Sequence, residues 1–465
     1  MTAHEPLTTT LAAWAHRLTF ADLPQDVVDA TKLRILDVMG LALAGADTPF
    51  GRATRAAAVA MSPPGACGIF GRGERVGVAA AACANGACAQ ALEYDDTHNE
   101  SIVHMSSPAV AAALALSEMT SVSGRDLVAA IAVGNEISCR IGSVSPGQFH
   151  KRGFHPTGLF APFGVTYLAG RLLGLDAAQM AQAAGICGSF ASGILECWVD
   201  GTHPKFLHPG WAAQSGITAA YLAREGMTGP AQVLEGRFGL FASHLQDPGI
   251  ARDLGRVTNG LGTRWDSRNS SLKPYPAAHV IHPYVDALLR LRTAHAMTLA
   301  EIERIDVPVA AFIVPIVCEP VTEKFAPASD SHGRVSLQYS LAEALHAGRL
   351  GKDAYAPASL RNPEILALAR RVQYHVDPEF PGPGRFKGAV RVTLADGRTF
   401  SEVEEYNRGS SENPMTYAEI RGKFDENASS FLTQGARDRL AEAAAQVERL
   451  PDASVLVELA VARSS

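Results

Sequence analysis

No stretch of the 465 residues reaches the ~18 unbroken apolar positions that a helical membrane span needs, which excludes an integral helical membrane protein. Met1 to Thr10 is polar and no apolar segment follows it, so no secretory signal is expected and a cytoplasmic location is. Positive charge is also short. Lys and Arg number 41 against 47 Asp and Glu, a net charge of −6, so no global field is available for nucleic acid or an anionic membrane. Any anionic ligand must meet a local cluster. The seven cysteines (67, 83, 88, 139, 187, 197 and 318) include no Cys-x-x-Cys pair, and an odd set in apolar surroundings reads as buried free thiols.

Cofactor motifs are missing too. Gly71-Arg-Gly73-Glu-Arg-Val-Gly77 has the wrong spacing and no preceding buried strand for a dinucleotide fingerprint, and no phosphate-binding G-x-x-x-x-G-K-[ST] occurs. Ser189 and Ser192 do not form the G-x-S-x-G of a serine hydrolase. What remains is an ordinary globular composition, 47% hydrophobic and 19% charged, which excludes disorder and a charge-rich coiled coil. At ~150 residues per domain the length predicts two domains or three.

From about Pro24 to Arg264, small and apolar residues recur at three and four, the period of packed helices. Asp29 to Ala44 carries Leu33, Leu36, Met39 and Leu43 on one stripe, and Ser123-Gly-Arg-Asp126 caps Leu127 to Ile141. Val78 to Ala91 and Ala109 to Leu116 are mostly Ala with few charges, so these helices should lie inside the protein. After Lys273 the pattern changes. Thr298-Leu-Ala-Glu301 caps a short turn, Ile305 to Val314 turns β-branched, and Asp396-Gly397 sits between two alternating runs as in a hairpin. Helical periodicity returns at Tyr417 to Phe424 and Gln434 to Leu450. The expected fold is mainly α: an all-helical domain of residues 1–271 plus 405–465, with a smaller α+β lid domain inserted at 272–404. No repeat of about 20–50 residues is present.

Four polar islands stand in this apolar text. Glu93-Tyr-Asp95-Asp96-Thr97-His98, with His104 beyond it, offers acids, a hydroxyl and two imidazoles, suited to acid/base chemistry or a hard metal, or to nothing more than a solvated helix end. Lys151 to Gly158 places His155 in a Gly/Pro loop ahead of a helix beginning near Leu159, where free N–H groups favour a carboxylate. Asp200 to Gly210 holds Lys205 between His203 and His208; a Gly/Pro loop would aim that Lys inward at an anion, whereas a snorkelling stem would leave it in water. Lys273 to Pro283 carries His279 and His282 three apart at the domain junction, a preferred place for ligands. Pro276 and Pro283 bracket those imidazoles and no acid is near, so no metal is expected.

In order, Leu92-Glu-Tyr-Asp-Asp-Thr-His98, Gly153-Phe-His-Pro-Thr-Gly158, Arg171-Leu-Leu-Gly-Leu-Asp176, Gly201-Thr-His-Pro-Lys205 with Leu207-His-Pro-Gly210, Thr228-Gly-Pro230 with Leu234-Glu-Gly236, and Lys273-Pro-Tyr-Pro276 with His282 resemble the MmgE/PrpD family over nearly the whole chain. That family contains 2-methylcitrate dehydratase, cis-aconitate decarboxylase and iminodisuccinate epimerase. The resemblance implies a helical domain with an α+β lid, a homodimer, and a basic cleft for di- or tricarboxylates that uses neither metal nor organic cofactor. Carried over by position, the site falls on Asp95 or Asp96, Thr97, His104, His155, Lys205 and Lys273, with His282 beside them.

Several positions depart from the family's pattern. His104-Met105 stands where it usually reads His-Pro, and Thr97 to His104 is one residue longer than in the decarboxylase. In that branch a further acid falls at Glu93, a His at Ala278, and a Tyr within the apolar run Phe312 to Val317. All three family reactions pass through or near a carbanion next to a carboxylate. Lys205 and Lys273 suit binding the carboxylates and stabilising that charge, His104 and His155 suit proton transfer, and the Asp pair suits fixing an imidazole or holding a hydroxyl. The four islands should converge on one cleft. Dehydration is placed first, epimerisation second and decarboxylation third; the alternative from another class is an inactive relative that only binds an anion.

Overall fold

Two apolar cores organise the chain in the computed structural model, which describes residues 5–382 and 384–461. One core draws on residues 11–265 and again on 424–460, the other on residues 275–394. Residues 1–4 of the polar N-terminal stretch and residues 462–465 of the expected helical domain lie outside the described set. The protein is mainly α, and among the described residues no helix is long and apolar enough to cross a membrane.

The first core is a stack of helices: Gln25–Ala46, Val78–Gln90, Ser106–Ser117, Gly124–Gly142, Pro156–Leu172 and Pro204–Arg224. Small side chains let their backbones approach. A Cβ on Gly210 would lie 2.2 Å from the Cys83 carbonyl oxygen, so the Pro204–Arg224 helix meets the Val78–Gln90 helix backbone to backbone. That close crossing brings the start of one helix over the end of the other. The Ser106–Ser117 helix is buried on every side, which its nearly charge-free sequence requires. Ser123 caps the Gly124–Gly142 helix by accepting from the Asp126 N–H, as its sequence predicts.

In the Gln25–Ala46 helix burial goes beyond the apolar stripe. Arg34 and Asp37 are buried among the aliphatic residues, while Leu33 is only half-buried. Asp37 pairs with Lys423 Nζ at 2.7 Å, which ties this helix to the Tyr417–Ala428 helix from the far end of the chain.

The second core lies under a four-stranded sheet ordered Val372–Val376, Ile302–Val309, Gly388–Leu394, Thr399–Glu404. The first pair is parallel and the others antiparallel. The hairpin turns at Asp396-Gly397, where Gly397 has φ +86° and Leu394 N–H donates to the Arg398 carbonyl. The β-branched run stops short of its expected length: the strand ends at Val309, and residues 311–318 wind into a 3-10 turn and then a wider π turn that contains Pro315, which has no N–H for a ladder. Helices His282–Ala294 and Leu337–Ala347 contribute Tyr284, Val285, Leu288, Leu341 and Leu345 to this second core.

Candidate functional site

Three segments meet around the carboxylate of Glu93, and a fourth, that of His155, joins them through His104. Glu93 follows the Val78–Gln90 helix with φ +53°, a left-handed conformation uncommon outside glycine, and its N–H donates to the Gln90 carbonyl. The turn drives its side chain inward. Lys205 Nζ donates to Glu93 Oε2 at 2.5 Å, and Lys273 Nζ donates to Oε1 at 3.2 Å and to the Glu93 carbonyl at 3.0 Å. All three side chains are buried. Burial alone would raise the Glu93 carboxyl, but the ammonium groups of Lys205 and Lys273, with His104, outweigh it and hold the group well below the usual carboxylate range.

Lys205 stands in the first turn of the Pro204–Arg224 helix, with Pro204 at the first helical position, and not in the expected loop. Its ammonium is committed to Glu93, which removes the snorkelling alternative. Lys273 is placed by a two-residue ladder in which Thr97 and His98 pair with Ser271 and Ser270, joining its segment to that of Asp95.

His104 lies between the acids. Its Nδ1 is 3.1 Å from Asp95 Oδ1, 3.0 Å from the Asp96 carbonyl oxygen and 3.3 Å from Thr97 Oγ1, while Nε2 is 3.9 Å from Glu93 Oε1. Two of the three neighbours of Nδ1 can only accept, so Nδ1 carries a proton and Nε2 faces Glu93. Asp95 is fixed in turn by Ser107 Oγ at 2.8 Å. Burial tends to raise its carboxyl; His104 and Lys273 reverse the direction and keep it below its ordinary value.

His155 immediately precedes the Pro156–Leu172 helix, and Thr157 Oγ1 in that first turn accepts from the His104 backbone N–H at 2.9 Å. The His104 and His155 rings lie 5.5 Å apart between centroids. On its other side His155 Nδ1 faces Nδ1 of His208 at 2.9 Å.

Two candidate residues point elsewhere. Asp96 accepts from Ser106 Oγ at 2.6 Å and from the Ser106 N–H at 3.2 Å, and lies 3.4 Å from Arg34 Nε; it caps the next helix and shields Arg34. His282 opens the His282–Ala294 helix, with Pro283 in its first turn, and donates from Nε2 to the Ala277 carbonyl at 3.0 Å. Burial first, then Lys273, depresses its pKa far below neutrality. Sequence reasoning left Glu93 and His208 out of the site. The spacing of three between Lys205 and His208 puts both on one helical face, a signal hidden by the two prolines that suggested a loop.

Among the described residues no group of three or more His, Cys, Asp or Glu side chains is arranged to hold a metal ion. What the site presents is the buried carboxylate of Glu93 held by two ammonium groups and bordered by imidazoles, on a helical scaffold with a second α+β core. The chain belongs to the MmgE/PrpD family, whose N-terminal domain matches residues 9–253 and whose C-terminal domain matches residues 275–449. It is 29% identical to cis-aconitate decarboxylase of Aspergillus terreus, over 98% of this chain and 96% of that protein. The mouse and human cis-aconitate decarboxylases are 28% and 27% identical, each over 97% of this chain and over 93% and 94% of their own lengths.

Proposed function

We propose that this chain is a lyase that acts on a small di- or tricarboxylate through a carbanion beside a carboxylate, with decarboxylation of a cis-aconitate-type acid as its first form. The observation that carries the reading is Glu93 itself: a buried carboxylate already sits between Lys205 and Lys273. An ammonium group has three donors, and Lys205 commits one to Glu93 and Lys273 two, so a substrate carboxylate shares the cradle. In decarboxylation the bond from carbon to one carboxylate breaks, CO2 leaves, and the electron pair stays on carbon beside a lysine-bound carboxylate. His155 Nε2, or His104 Nε2 when that ring carries both protons, then delivers a proton to that carbon. The cations lower the cost of the developing charge because low dielectric strengthens their pull and they need no reorganisation.

Full-length similarity to cis-aconitate decarboxylases moves decarboxylation ahead of the order drawn from the sequence. Dehydration of a 2-methylcitrate-like acid is the second reading, favoured by Ala278 and by the tyrosine-free run Phe312 to Val317. In it, one imidazole removes the carbon-bound proton and the other protonates the leaving hydroxyl, which departs as water. The same reading takes the protein as a cytoplasmic homodimer, with domains at 1–271 plus 405–465 and at 272–404.

Purified protein incubated in deuterated buffer with cis-aconitate, 2-methylcitrate and iminodisuccinate, followed by proton NMR, tests the proposal. Loss of CO2 with one deuterium bound to product carbon is expected from cis-aconitate. No change in any of the three acids overturns the lyase reading and leaves the anion-binding relative.

A further inference from the structure

His208 has no part in the reaction as drawn above, yet it sits one helical turn beyond Lys205 with its Nδ1 2.9 Å from Nδ1 of His155. Two imidazole nitrogens at that distance share one proton: one ring donates and the other accepts. The outer nitrogens differ in their surroundings. His155 is 1% exposed, and its Nε2 is buried with no protein partner. His208 is 8% exposed and lies under the surface loop Ser192 to Ile194, two of whose residues are exposed.

That loop is built around the pair. The Gly193 carbonyl oxygen accepts from the His155 N–H at 2.9 Å, and Phe154 bridges to Ile194. Gly193 has φ +152°, and a Cβ there would come within 3.2 Å of the His208 ring. The chain thus brings its backbone against the outer imidazole at the one residue type that permits the approach.

We propose that His155 and His208 form a two-imidazole proton relay linking the carboxylate cleft to solvent, with His208 as its outer member. The relay rests on the reading of His155 as an acid/base group. In the direction that protonates carbon, solvent gives a proton to His208 Nε2, the proton on His208 Nδ1 crosses to His155 Nδ1, and the proton on His155 Nε2 passes to the carbanion. Each ring gains one proton and loses one, so both end neutral with their tautomers exchanged. The reverse order carries a proton from substrate carbon to solvent. The pair resets when product leaves: water gives a proton to His155 Nε2, the proton on His155 Nδ1 returns to His208 Nδ1, and His208 Nε2 releases one to solvent.

Neutral transfer is what this location demands. Burial and then Lys205 depress both imidazoles, His208 to about 4 and His155 well below its ordinary value. An imidazolium on either ring would stand beside an ammonium in a dry cleft, and a relay avoids forming one. His150, also depressed to about 4 and packed edge-on against Trp198 at 5.1 Å, adds a third neutral ring to this wall.

The test separates the relay from the activity it serves. Full-length protein labelled with 15N-histidine should show one protonated Nδ1 and a nitrogen–nitrogen coupling across the His155–His208 hydrogen bond. If neither Nδ1 carries a proton, the relay is overturned, whether or not any acid is turned over. With cis-aconitate as the probe, His208→Ala should lose ~10²-fold in kcat, within the span of a positioned acid/base group, and regain most of it with added imidazole. His208→Gln keeps a hydrogen bond to His155 Nδ1 yet cannot pass a proton in this way, so it should stay slow. Near-normal rates in both variants, or recovery in His208→Gln alone, overturn the relay in favour of a positioning role. A wild-type protein inert toward all three acids while the coupling is present overturns the lyase reading instead.

Discussion

Replacing Lys205 by Met removes one ammonium while keeping most of the aliphatic stem. The 2.5 Å contact with Glu93 has a gross Coulomb energy of about 7 kcal/mol at an effective dielectric of ~20, most of which is offset by the desolvation of both ions. Removing one partner of a buried pair costs roughly 3–5 kcal/mol when the other is left alone. Glu93 keeps Lys273 at 3.2 Å, so the expected loss is about half of that, roughly 2 kcal/mol. With ~2.1 cal/mol/K per residue over a core of roughly 300 residues, the melting temperature should fall by about 3 °C. This differs from the expectation for a lysine on a loop, which would leave stability unchanged.

Turnover should respond more strongly, with kcat/KM falling at least ~10²-fold, the scale of one preorganised electrostatic donor. Differential scanning calorimetry and the deuterium-incorporation assay on the same preparation read both effects. The double variant Lys205→Met/Glu93→Gln should regain most of the melting temperature and none of the rate, because it removes the stranded carboxylate without restoring the cation. A Lys205→Met enzyme turning over at the wild-type rate would remove Lys205 from the chemistry, and an unchanged melting temperature would refute the buried pair.

Acid should weaken the fold through Glu93. Its folded pKa lies below the unfolded value of ~4.3, so its contribution is present above that pH and is lost as the pH falls toward the folded value. The melting-temperature gap between wild type and Glu93→Gln should therefore hold from pH 7 to about 5 and close below it, and a gap that persists undiminished in stronger acid would contradict the assignment. Turnover is expected to survive EDTA; loss of rate restored by a divalent cation would return Asp95, Asp96 and His98 to consideration as ligands.

Periodicity carried much of the fold in advance. The capped Gly124–Gly142 helix, the buried alanine-rich helices and the Asp396-Gly397 hairpin were all readable from spacing, because each depends on neighbours in sequence. The strand after Ile302 was less so, since Pro315 and the turns around it depend on how the second core closes. In the site, residue types marked the four islands but not the directions of their side chains. Asp95 and Asp96 are adjacent and chemically alike, yet one meets His104 and the other Ser106 and Arg34. That division follows from the backbone turn at Glu93, which only the packed helices around it impose.

The buried contact of Lys423 with Asp37 also reaches the cleft, for Lys423 Nζ donates to the Tyr94 carbonyl at 2.8 Å, one residue past Glu93. Residues 424–460 complete the first core. A nascent chain on the ribosome therefore has its earliest helices long before it has the groups that close them. Until Lys423 emerges, Asp37 has no cation and the Tyr94 carbonyl no donor. A polypeptide cut short before Tyr417 lacks Lys423 and residues 424–460, and would expose the apolar faces of those helices to chaperones and proteases.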